Sequence, residues 1–218
     1  MEISNKYIVR DIPKTIVNHI SAEWPRTLVE WNIRQKELES IPQSMHRTLP
    51  EPVAAIQFAT IYDAPEILPA AFYQLCITPT ESDWDATLLK EKPGILKLAA
   101  RWSSLDATNA VRFAKGRDAL LRNYFSNVLA MCSKSRTSKA YGQSQYCSCN
   151  FELLKSQVDS ARSCYHHDCL KHLQTLTNMP GALCSECLTK NRQHFKDLQT
   201  QIWNRLPEFF GLPPPSAG

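Results

Sequence analysis

The chain has 218 residues, 43% hydrophobic and 21% charged, with a formal net charge of +4. That length supports one or two domains with a real core, and the balance of apolar and charged residues argues against a disordered chain. No stretch is apolar for long enough to span a bilayer, so no membrane partner is expected. The N-terminus, Met1 to Tyr7, lacks the apolar run of a signal peptide. The expected setting is intracellular, cytoplasmic or nuclear, where thiols stay reduced. Glycine is scarce, helix formers dominate the long segments and period-2 alternation is rare. The expected fold class is all-α, an irregular multi-helix bundle with a cysteine-rich C-terminal segment. The expected organisation is a helical region over 1–131, a polar cysteine-containing linker over 132–150, a cysteine-rich helical region over 151–212, and an unpacked tail over 213–218.

Residues 2–8 read as the end of a helix. Asp11-Ile12-Pro13 offers a cap followed by a first-turn proline. Ile16, Val17, Ile20 and Trp24 mark an apolar face. Pro25 interrupts it, and Thr27 to Trp31 begins another short helix. Residues 36–50 are polar and read as a connection. Pro52 opens the clearest helix, with Val53, Ile56, Phe58 and Ala59 near one stripe. Asp63 and Glu66 have the spacing of a capping box, with Pro65 between them. Leu68, Ala71, Phe72 and Leu75 are the buried positions of the next helix, in which Pro69 predicts a kink or a local start. The two helices form an αα-hairpin.

Residues 77–93 read as a loop, and Ile95 to Trp102 as a short helix. Asp106 to Met131 is a longer helix, with Val111, Ala114, Leu120, Tyr124, Val128 and Met131 expected inward. Gly116 in its middle costs about 1 kcal/mol against alanine and points to close helix packing. Residues 133–146 are polar and turn-rich, a linker. Phe151 to Ala161 is helical. The last helix runs from near Cys184 to Leu206, with Leu188, Phe195, Leu198, Ile202 and Leu206 at three- and four-residue steps. Pro207 stops it, and Phe209, Phe210 and Leu212 fold back on the bundle. No internal repeat is present.

Seven of the eight cysteines fall between Cys132 and Cys187. The order after Cys132 is Cys147-x-Cys149, Cys164-x4-Cys169 enclosing His166 and His167, and Cys184-x2-Cys187. Thiolates at such spacings suit a tetrahedral zinc ion with Zn–S distances of roughly 2.3 Å. Cys164, Cys169, Cys184 and Cys187 make one candidate closed structural site. Cys147 and Cys149 could replace a pair, or join His166 and His167 in a second site. The alternatives are buried reduced thiols, the reading preferred for Cys76 and Cys132, and a disulfide or redox role. His166-His167 reads equally as an exposed or hydrogen-bonded pair. A C-x2-C redox motif lacks its usual βαβ surroundings. No P-loop, G-x-G-x-x-G or H-E-x-x-H is present, and no Cys–His pair singles itself out as a nucleophile.

The chain resembles the post-BTB region of fungal BTB/POZ-domain proteins. The likeness lies in Leu49-Pro50-Glu51-Pro52, in Tyr62 through Tyr73, in Cys184-Ser185-Glu186-Cys187, and in Trp203 through Leu212. Lys6-Tyr7 and Trp24 through Leu28 resemble the segment linking the BTB core to that region. Around Leu105 to Thr108 the likeness is looser than the family's acidic turn. The resemblance implies a β-containing BTB core ahead of residue 1, which this sequence does not hold. The dimerising and recruiting activities of such cores therefore do not carry over.

The expectation is a non-enzymatic scaffold that binds other proteins through helix faces, alone or as a homo- or hetero-oligomer, with structural zinc as its candidate cofactor. The alternative is a zinc-stabilised nucleic-acid-binding or transcription-linked module. Residues 132–218 carry ten Lys/Arg against six Asp/Glu, whereas 1–131 balance at fifteen of each. That mild excess is ordinary for a solvated surface, and no helix has the spaced Arg or Asn of a recognition helix, so nucleic acid ranks below protein as partner.

Overall fold

The computed structural model describes residues 11–40, 51–85, 98–134, 155–156, 158–160, 168–177 and 185–213. They are mostly helical, and no strand occurs among them. The all-α expectation holds. No helix among the described residues is long and apolar enough to cross a membrane. The chain divides into two compact units, Met1–Phe113 with Leu206–Gly218, and Ala114–Arg205.

In the first unit, helix α1 spans Asp11–Ala22. It closes with two tight bonds, from Glu23 N–H to the Ile20 carbonyl and from Trp24 N–H to that of Ser21. Helix α2 spans Leu28–Ser40. A reciprocal capping box starts it. Thr27 Oγ1 accepts from Glu30 N–H, and Glu30 Oε2 accepts from the Thr27 and Arg26 N–H groups. With that start, Lys36 to Ser40 stay helical rather than forming the expected connection.

Helix α3 spans Pro52–Ile61 and helix α4 spans Leu68–Ile77. The Glu51 carboxylate caps α3, accepting from Val53 N–H at 2.9 Å and Ala54 N–H at 2.6 Å. After Tyr62 the chain takes a left-handed step at Asp63, φ 50°, and Ala64 N–H reaches back to the Ala59 carbonyl at 3.0 Å. This is a Schellman-type helix end. Asp63 therefore terminates α3, and the capping box expected between Asp63 and Glu66 does not form. The N-cap of the following 3-10 turn, Pro65–Ile67, is Ala64, with no side-chain bond. The turn runs into α4 with Pro69 in its first turn, so Pro69 marks a start and not a kink.

Every residue of α4 except Pro69 is buried. The expected hairpin partner α3 packs against it, Trp31 of α2 meets Tyr73 edge-on at 5.2 Å, and Phe72 stacks with Phe210 at 5.1 Å. Residues 98–101 are not helical, which corrects the expected helix from Ile95 to Trp102. Ala100 pairs instead with the 82–85 segment, through Ala100 N–H to the Ser82 carbonyl and Trp84 N–H to the Ala100 carbonyl. Arg101 N–H then donates to Glu51 Oε1 at 3.0 Å, so the cap of α3 also holds this loop. A 3-10 turn, Trp102–Ser104, follows, and the Trp102 indole donates to the Pro79 carbonyl.

Helix α5 spans Ala107–Lys134 and crosses the boundary between the units. Asp106 caps it, accepting from the Asn109 backbone and side chain. Val111 and Ala114, expected inward, are exposed, while Leu120, Tyr124 and Val128 are buried as expected. The N-terminal turns of α5 bury Asn109 and lay Phe113 on Trp102 at 5.5 Å, on a face other than that of Val111. Gly116 is buried.

In the second unit, residues 155–156 and 158–160 are helical and Val158 is buried. Helix α6, Cys169–Thr177, was not anticipated from the sequence. Asp168 caps it through Lys171 N–H, and it buries Cys169, Leu170, Leu173 and Leu176. Helix α7 spans Ser185–Asn204 and buries Phe195, Leu198, Gln199, Ile202 and Trp203.

Pro207 does not end the helical path. The chain turns at Arg205 and enters a four-residue helix, α8, Leu206–Phe209, in the first unit. Proline lacks the N–H that would continue α7, but suits the first turn of a new helix. Gly211, φ 57°, closes α8, with Gly211 N–H on the Glu208 carbonyl and Leu212 N–H on that of Pro207. Phe210 is buried against α4, as the expected fold-back requires. Helix α5 runs unbroken through 131/132, where a linker was expected to begin, and 206–213 group with the first unit.

Candidate functional site

Two groups of residues bear on function, the cysteines and the exposed apolar side chains. Of the candidate zinc ligands, Cys147, Cys149, Cys164, His166, His167 and Cys184 lie outside the described residues. Cys187 stands in the first turn of α7 and Cys169 at the first position of α6. Cys76 and Cys169 are both buried.

The packing of α6 on α7 sets the surroundings of Cys169. The Gln199 side-chain amide donates to the Leu170 carbonyl at 2.8 Å, and Arg192 Nε donates to the Thr177 carbonyl at 3.2 Å. The start of α6 thus lies beside Gln199 and its end beside Arg192, so the pair is antiparallel. Of the four-thiol set of Cys164, Cys169, Cys184 and Cys187, only Cys169 and Cys187 fall on described helices. Among the described residues no group of three or more His, Cys, Asp or Glu could hold a metal ion.

Cys169 is buried on the packed face of α6. Beside it, His172 Nδ1 shares a hydrogen bond with the Tyr124 hydroxyl, joining α6 to α5. Tyr124 is fully buried and also meets Phe125 edge-on at 4.9 Å.

Large apolar side chains are exposed at a few places in the first unit. On α2, Val29 is 67% and Ile33 53% exposed. At the end of α3, Ile61 is 70% and Tyr62 37% exposed, and Phe58, half-buried, lies against Tyr62 at 4.7 Å. The two places flank one ion pair in the chain, Arg26 to Glu66 at 3.2 Å, which ties the start of α2 to the turn after α3.

Sequence reasoning passed over Val29 and Ile33, although a signal was present. At roughly 100° per residue, both lie about 200° around the helix from Trp31. A helix buried only at Trp31 must then leave them outside.

A second ion pair in this unit is local. Arg101 forms a forked contact with Asp85 at 3.1–3.4 Å and lies 6.0 Å from the Trp84 ring. The Asp85 hydrogen bond raises the Arg101 pKa. The Asn109 backbone N–H, and then its side chain, hold the Asp106 carboxyl below its ordinary value.

No family model, no curated protein and no solved structure matches the chain.

Proposed function

We propose that the chain is a non-enzymatic interaction scaffold, comparable to the post-BTB part of a BTB-like protein, acting by recognition through helix faces. The observation that carries this reading is the exposed apolar pair Val29 and Ile33 on α2, with Ile61 and Tyr62 at the end of α3. Apolar side chains left in solvent on well-formed helices gain stability when a partner covers them. The motifs in 49–73 and 184–212 support the comparison with the post-BTB region, and reduced clustered thiols suit a cytoplasmic or nuclear setting.

Proximity labelling in cells that express the protein tests the reading. The expected outcome is a set of labelled neighbours that the double variant Val29→Gln with Ile33→Gln loses at unchanged protein level. An identical set for the variant would overturn it.

A structural zinc ion belongs to the same reading, with Cys164, Cys169, Cys184 and Cys187 as its ligand set. Cys147 and Cys149 replace a pair, or join His166 and His167 in a second site, in the alternative arrangement. Metal analysis of the reduced protein tests this. Cys187→Ser and Cys169→Ala are each expected to lose the zinc. Wild type without metal, or full metal retained in both variants, would sink the assignment.

A further inference from the structure

No further inference is drawn: the strongest candidate, the exposed apolar face that Val29 and Ile33 form on α2, belongs to the site already described, and nothing in the structure shows what covers it.

Discussion

Helices α4 and α7 bury themselves in opposite ways. In α4 every residue but Pro69 is covered, so the helix has no outside. It is the axis of its unit, with α3, α2 and Phe210 of α8 packed on it. In α7 one stripe, from Phe195 to Trp203, is buried, while residues such as Gln193, His194, Lys196 and Asp197 remain in solvent. A helix that is apolar all round gains stability from burial on every side. A one-sided helix depends on register, and here polar ties along the α6–α7 pair fix that register. The first arrangement tolerates little change of volume. The second tolerates volume change and is sensitive to the loss of a tie.

Four experiments sharpen this contrast. The largest effect is expected for Phe210→Ala, which removes the ring stacked on Phe72 and leaves a cavity beside α4. A loss of about 3–4 kcal/mol in denaturant unfolding is the expected result. Glu51→Ala follows, at about 2–3 kcal/mol, because three backbone N–H groups lose a carboxylate in a buried position. Faster hydrogen exchange at Val53, Ala54 and Arg101 together is its signature. In the second unit, Tyr124→Phe removes the hydroxyl bonded to His172 and should cost about 1 kcal/mol.

The most pH-dependent effect, as small as that of Tyr124→Phe, is that of Asp106→Ala. The cap it removes is worth about 1 kcal/mol near neutral pH. Because the folded carboxyl titrates below the unfolded one, the cap acts fully above the unfolded value near 3.9. It is lost as pH falls through the lower folded value. The difference between variant and wild type should therefore be constant above about pH 5 and shrink in acid. A difference that grows in acid would contradict the assignment of Asp106 as the charged cap.

Local chemistry made much of the fold readable. Pro52 at a first turn, the apolar run of α4, the cap at Asp106 and the three- and four-residue steps of α7 each announce their element through short-range sterics and periodicity. Where two local rules competed, packing chose between them. Asp63 and Glu66 have capping-box spacing, yet the backbone needed a left-handed residue to leave α3, and Asp63 took that role. Ala100 lies in a helix-prone stretch, yet its backbone groups are used by 82–85.

Helix α6 went unseen because Cys169 was weighed as a metal ligand, although Leu170, Leu173 and Leu176 already had helical spacing. The sequence settled the helical class and most helix starts, because caps, prolines and periodicity act over a few residues. Tertiary structure decided which positions meet across long separations. The antiparallel register of α6 and α7 sets Leu170 beside Gln199, and the burial of Trp31 turns Val29 and Ile33 outward. Such placements depend on which faces pack together, and spacing along the chain does not encode that.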